Sequence, residues 1–261
     1  MTHQFSSMDL PATTEVEVRL ARNGDEVAAA QRLRYRVFFD EMGAHPSPAA
    51  LASGRDEDKY DAVCDHLLAF ANGEVVGTYR LIRRAAAEAV GGFYTTDEFD
   101  ISSLLSYPGN VLELGRSCVD ANWRSRGAVQ QLWQGLAAYL VEHRIDLLFG
   151  CASLPGTDLS QHGPQLAYLR DHHRAPAELH TRALSPWAVD TSAMTAQDGD
   201  QRRIFCALPP LLKGYLRAGA WVGEGAVIDP HFNTTDVLVV MDTAAISSRY
   251  QRRFESGRRA A

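Results

Sequence analysis

The sequence predicts an α/β fold (α+β in its ordering): a central mixed twisted sheet flanked by helices. Three observations carry that prediction. Glu15-Val-Glu-Val-Arg-Leu20 alternates with period two and runs through Asn23-Gly24 into a segment of helical spacing, so the chain opens strand then helix. His66-Leu-Leu-Ala-Phe70, then Asn72-Gly73, then Glu74 to Ile82 form a hairpin pattern. An apolar strand over 111–119, a helical run over 127–143 and a second strand over 146–153 make a β-α-β unit, which needs neighbouring, roughly parallel strands. Antiparallel and parallel pairs in one chain mean a mixed sheet.

The remaining elements follow in order. Residues 1–14 are polar and read as a flexible N-terminus. From Asp25 a helix keeps Leu33, Val37 and Phe38 at helical spacing and stops at Gly43 and Pro46. Residues 44–57 are small and polar, a loop that could order around substrate. Segment 85–110 is looser and carries Phe93, Tyr94 and Phe99 as apolar walls. In 154–208, Pro155, Gly156, Pro164, Pro176 and Pro186 break every pattern, which predicts an insertion of short helices and loops. Pro209-Pro210 open a helix through Arg217, stopped by Gly219. Trp221 to Ile228 and Asp236 to Met241 read as a closing strand pair. One domain thus spans 15–250, with 251–261 as a basic tail.

Composition narrows the class. At 261 residues the chain can bury a full core, and its net charge of −6 argues against wholesale nucleic-acid binding. Cys64, Cys118, Cys151 and Cys206 lie far apart with no Cys-x-x-Cys pair, which fits reduced thiols. No secretory leader and no membrane-spanning run is visible, so a cytoplasmic protein is expected, at most peripheral to the inner face of a membrane. His172, His173 and His180 invite a zinc reading, which is rejected for want of cysteine and ligand spacing; no metal is expected.

The most informative stretch is Glu113-Leu-Gly-Arg116-Ser-Cys-Val-Asp120 followed by Arg124-Ser-Arg-Gly127-Ala-Val. It reads as a buried strand entering a glycine-opened turn and a helix whose first amides are free. Free amides and the positive dipole end bind phosphate or pyrophosphate. Arg124, Arg126, Gly127 and Ala128 are therefore expected to hold a phosphopantetheine phosphate. Glu113 and Arg116 are charged residues in an apolar strand, and buried charge needs a partner or a purpose.

The order strand, helix, hairpin, charged strand, phosphate turn, helix, strand resembles the GNAT N-acyltransferase fold. Its pyrophosphate signature, Arg/Gln-x-x-Gly-x-Gly/Ala, is met by Arg124-x-x-Gly127 and missed at Val129. Arg34-Tyr-Arg-Val-Phe38, Asp58-Lys-Tyr-Asp61, Gly77-Thr-Tyr-Arg80-Leu and Glu113-Leu-Gly-Arg116 resemble acyl-homoserine-lactone synthases. The lactone branch carries tryptophan where this chain has Ala44, which argues against that reaction. Cys64-Asp-His66-Leu-Leu, Leu148-Phe-Gly-Cys151, Pro209-Pro-Leu-Leu-Lys213, Gly219-Ala-Trp-Val-Gly-Glu224 and Phe232-Asn-Thr-Thr-Asp236-Val are similar to a sister family, the bacterial L-ornithine N-acyltransferases of ornithine-lipid synthesis. That resemblance covers roughly 15–250. It implies transfer of a 3-hydroxyacyl chain from acyl carrier protein to the α-amine of L-ornithine, giving lyso-ornithine lipid, with no permanently bound cofactor. Rival readings are another N-acyl amino acid synthase, a lactone synthase, or an acyl-sensing module without turnover.

Aminolysis of a thioester needs a neutral amine, a stabilised oxyanion and reactants held in line. Glu113 is the first candidate base; the alternative is a structural ion pair with Arg116. Residues three apart on a regular strand face opposite sides, so Glu113 and Arg116 share a cleft only if the strand is bulged at Gly115. Arg34, Arg80 and Arg116 suit the amino-acid carboxylate. Asp58 and Asp61 either anchor the δ-ammonium or solvate a surface turn. Phe38 reads as core and His66 as a structural histidine. Lys213, Arg217 and the tail arginines either meet acidic acyl carrier protein or anionic lipid, or are simply solvated.

Overall fold

The computed structural model describes residues 15–184, 186–196 and 201–244. The expected flexible terminus and basic tail lie outside them. β1 (Glu17–Leu20) leads to α1 (Gly24–Tyr35), which Asn23 caps by accepting the Glu26 amide at 3.0 Å. A π-helical stretch, Arg36–Glu41, carries the helix on before Gly43 turns left-handed at φ 78°. α2 (Pro48–Ser53) then interrupts the expected loop, with Ser47 as its cap.

β2 (Asp65–Ala71) and β3 (Glu74–Arg83) form the hairpin. Asn72 at φ 53° and Gly73 at φ 80° supply the two left-handed residues that a tight twisted hairpin needs. The looser segment resolves into α3 (Arg84–Ala89), a 3-10 turn (Tyr94–Asp97), β4 (Phe99–Asp100) and α4 (Ser102–Leu105). β5 (Val111–Val119), α5 (Ala128–Glu142) and β6 (Leu147–Pro155) are the β-α-β unit, and β5 and β6 are parallel.

The segment 154–208 corrects the expectation of short helices and loops. Its first two residues end β6, and α6 (Leu159–His172) runs 14 residues with Pro164 inside it. Pro164, the sixth residue of α6, forgoes the bond to the Ser160 carbonyl, yet the helix continues through it, and Asp158 caps its start through the Ser160 amide at 3.0 Å. β7 (Arg182–Ala183) pairs with β4, whereas β8 (Ala188–Val189) joins the main sheet. The chain closes with α7 (Gln201–Ala207), α8 (Pro210–Ala218), β9 (Trp221–Val222), β10 (Ala226–Asp229) and β11 (Thr234–Asp242). The described sheet has nine strands in the order β1-β2-β3-β5-β6-β11-β10-β8, with β9 also on β11.

Both faces of the sheet are covered, which is why its central strands read as continuous apolar runs. On one face Leu132, Leu136 and Leu140 of α5 and Leu212 and Leu216 of α8 pack on Leu67, Leu81 and Leu112. Burying each such side chain contributes about 1.5–3 kcal/mol. On the other face Phe93, Phe99 and Leu104 pack on Ile82, Phe149 and Leu238. Phe93 and Phe99, expected as walls, are thus core. Leu33 of α1 and Val37 of the π-helical stretch close the same sheet over Cys118.

Candidate active site

Two irregularities in the sheet create the site. The β5–β6 ladder runs Val111–Leu147, Leu112–Leu148 and Glu113–Phe149. At the next step a Cβ on Gly150 would stand 2.2 Å from the Leu114 carbonyl oxygen, so only glycine permits the close approach where the strands part. A cavity of about 20 Å³ there is lined by Leu114, Gly150, Cys151 and Tyr215. A larger cleft of about 520 Å³, between Tyr107 and Leu179, holds none of the candidate catalytic or binding residues.

The second irregularity is a bulge in β5. Thr78 pairs with Cys118 and Arg80 with Gly115, so two residues of β5 stand opposite Tyr79 alone. Arg116 takes up the extra length in the left-handed region at φ 48°, a conformation that costs of order 1 kcal/mol outside glycine. The bulge breaks the alternation that would set Glu113 and Arg116 on opposite faces, and Tyr94 touches both, its amide on Glu113 and its ring under Arg116.

They do not pair with each other. Glu113 is 1% exposed and accepts the Thr95 amide at 2.7 Å, the Tyr94 amide at 3.0 Å and the Thr95 hydroxyl. It therefore pins the 3-10 turn to β5. Burial pushes its carboxyl above the ordinary range, against the pull of the Thr95 and Tyr94 donors. Arg116 instead reaches Asp56 at 3.2 Å and Asp58 at 3.4 Å, and lies over the rings of Phe232 and Tyr94 at 4.5 and 4.8 Å.

The other charged candidates form one alternating network. Arg34, fully buried, holds both Asp61 oxygens at 2.8 Å and reaches the Asp56 carboxylate at 2.7 Å and its carbonyl. Arg80, 1% exposed, bonds Asp58 at 2.6 Å and Asp61 at 3.5 Å. Burial alone would raise the Asp61 carboxyl, but the Arg34 bonds and the charges of Arg34 and Arg80 hold it well below the usual range. Three arginines meet three aspartates, so the buried charge is balanced within the network. Of the residues expected to contact substrate, Arg34, Asp61 and Arg80 are enclosed, while Asp58 and Arg116 keep partly exposed side chains. His66 is structural: its Nε2 bonds the Asp61 carbonyl at 3.0 Å.

At the phosphate turn, Gly127 is left-handed at φ 85° and opens α5, with Ala128 buried behind it and Val129 turned to solvent. Arg124 is tied down, donating to the Val119 carbonyl at 2.9 Å and forking onto Glu41. Arg126 rests on the Trp123 ring at 5.4 Å.

Residues 33–134 match the acetyltransferase (GNAT) domain family, which spans the π-helical stretch, the hairpin, the bulged strand and the start of α5. Over 252 residues the chain is 45% identical to the L-ornithine N(alpha)-acyltransferase of Rhizobium meliloti (strain 1021), covering 90% of this chain and 82% of that protein. The chain belongs to the L-ornithine N(alpha)-acyltransferase family. The protein of that name from Rhodobacter capsulatus is 41% identical over 94% of this chain and 98% of its own length. The Brucella abortus protein is 44% identical over 90% of this chain. The fold is GNAT, and this family member is an acyltransferase enzyme.

Several residues of the site escaped the sequence reading. Asp56 was hidden in the acidic run Arg55-Asp-Glu-Asp58, and Thr95 and Glu98 in a segment with no periodicity. Asp236 carried the same signal as Glu113, a charge at the head of an apolar strand, and was detectable on that ground. Among the described residues no helix is long and apolar enough to cross a membrane.

Proposed function

We propose that the enzyme transfers a 3-hydroxyacyl chain from the phosphopantetheine thioester of acyl carrier protein to the α-amine of L-ornithine, giving lyso-ornithine lipid. The observation that supports the reading is the bulge at Arg116, which brings a guanidinium and the buried Glu113 carboxylate to the same Tyr94 beside the parting of β5 and β6. The acceptor is that named for the 41–45% identical relatives.

In this reading the free amides of Gly127 and Ala128, with Arg124 and Arg126, take the pantetheine phosphate at the head of α5. The thioester lies between β5 and β6. An amide of the bulge, freed from the ladder, donates to the carbonyl oxygen as it becomes an oxyanion. The amine lone pair attacks the carbonyl carbon, a C–N bond forms, the C–S bond breaks, and the pantetheine sulfur leaves as thiol. The amine proton passes to Glu113, whose raised affinity for protons suits it to the task, and from Glu113 to the departing sulfur, which completes the thiol. Arg116 binds the ornithine carboxylate, while Arg34, Arg80 and Asp61 hold Asp58 and Arg116 in position. The product is an amphiphile, so delivery at the inner membrane face through Lys213 and Arg217 belongs to the same reading.

The donor is tested by giving the purified enzyme 3-hydroxyhexadecanoyl-acyl carrier protein and the matching coenzyme A thioester at equal concentration with ornithine. Faster product formation from the carrier-protein donor is expected. Equal or faster use of the coenzyme A donor contradicts that half of the proposal.

A further inference from the structure

Beside Arg116 stands a second group of acids with the opposite electrostatic character. Glu98 follows the 3-10 turn, Asp229 ends β10 and Asp236 lies in β11, and one carboxylate oxygen from each falls within 4.8 Å of the others. Among the described residues no lysine, arginine or histidine forms an ion pair with any of them, in contrast to the balanced network around Asp61. Asp236 is 5% exposed, and its Oδ1 is buried with no hydrogen-bond partner, whereas Asp229 already accepts the His231 amide at 2.7 Å and the Phe232 amide at 3.0 Å. An uncompensated acid group of this kind is costly, and a cation supplied from outside would relieve it.

Its neighbours link it to both Arg116 and Glu113. Phe232, in the turn between Asp229 and Asp236, carries the Arg116 guanidinium on its ring at 4.5 Å. The Cys151 thiol donates to Glu98 at 3.2 Å and stands 3.8 Å from the Thr95 hydroxyl, which itself bonds Glu113. The acid group and Glu113 are therefore separated by one thiol and one hydroxyl. An extended diamino acid places its two nitrogens about 6 Å apart.

We infer that Glu98, Asp229 and Asp236 form the seat for the side-chain ammonium of the diamino acid acceptor, the contact that selects a dibasic substrate and fixes which nitrogen meets the thioester. The inference deepens the proposed function and rests on its acceptor. A bound ammonium donates to several carboxylate oxygens at once, including the unpartnered Asp236 oxygen, and leaves the α-amine facing Glu113 and the carboxylate facing Arg116. Burial and the charge of Asp236 push the Glu98 carboxyl up to about 8, and burial with the charge of Asp229 holds Asp236 at about 6 against the hydrogen bonds of Ser153 and Thr234.

The test compares ornithine with norvaline, which has the same carbon chain and no terminal amine, as competing acceptors. The ratio of kcat/KM for ornithine over norvaline is measured for wild type, Glu98→Gln and Asp236→Asn. A fall of at least tenfold in both variants is expected, carried mainly by a higher KM for ornithine. Should Asp236→Asn fail to fold, Asp229→Asn reads the same ratio from a less buried position. An unchanged ratio overturns the site while leaving the enzyme's activity in place. So does tight Mn²⁺ binding that Asp236→Asn abolishes without moving the ratio, which would make the group a metal site. A wild type that acylates neither amino acid from an intact donor overturns the acceptor reading beneath it.

Discussion

Gly115 faces Arg80 across the β3–β5 ladder, which leaves Arg116 as the residue without an opposite number. That one-residue excess turns the Arg116 side chain out of the sheet's alternation and onto Asp56, Asp58, Tyr94 and Phe232. The Arg116 end of the charged network depends on it.

Arg34 is placed as frame, not as substrate contact. Arg34→Ala strands Asp61 and Asp56 as buried, unpaired acids and is expected to cost about 3–5 kcal/mol, read by urea unfolding. Arg34→Lys keeps the charge but loses the fork onto Asp61, and recovers only part of that loss. A stable Arg34→Ala enzyme with a raised ornithine KM would return Arg34 to the substrate.

Gly150→Ala tests the parting of β5 and β6. The added methyl meets the Leu114 carbonyl oxygen, a backbone atom with nowhere to move. A loss of more than about 2 kcal/mol is expected, seen as a lowered melting temperature. A variant as stable as wild type would mean that the strands are already further apart.

The unpaired acids give the enzyme a pH signature. Glu98 and Asp236 hold protons to about 8 and about 6, above the usual range near 4, so the folded state binds more protons than the unfolded one in between. Stability then falls as pH rises from about 4 to 8 and levels off beyond, by about 2 kcal/mol or more in total. Thermal melts should show the decline, with Asp236→Asn flattening it. Asp61 acts in the opposite sense: its stabilisation is present above the ordinary carboxylate range and is lost only in strong acid.

Arg124→Ala separates stability from donor binding. Its pair with Glu41 lies on the surface, so the fold should lose less than about 1 kcal/mol. If Arg124 also holds the donor phosphate, the KM for acyl carrier protein rises severalfold with kcat little changed. An unmoved KM removes Arg124 from the donor site.

How much of this was legible beforehand follows physical lines. The hairpin at Asn72-Gly73 and the Val111–Leu147 unit are written in local periodicity and turn chemistry, and they are found within two residues of where the sequence puts them. Glu113 and Arg116 stood out because charge inside an apolar run is rarely idle. Their partners did not. Which acid meets Arg116 depends on how 56–61 folds back over β3, and which donors hold Glu113 on a 3-10 turn with no period of its own. Pro164 misled because proline reads as a breaker, yet α6 runs on through it, its packed residues Leu166 and Leu169 holding the helix beyond the lost bond.

The most direct test of the account is mass spectrometry of products from 3-hydroxyhexadecanoyl-acyl carrier protein with an equimolar mix of ornithine, lysine, glycine, glutamine and S-adenosylmethionine, run with wild type and Glu113→Gln. The account predicts a dominant N-acyl-ornithine from wild type and a loss of at least a hundredfold in Glu113→Gln, with the variant still folded and still binding the carrier protein. A different acylated amine, or a Glu113→Gln enzyme as fast as wild type, would contradict it.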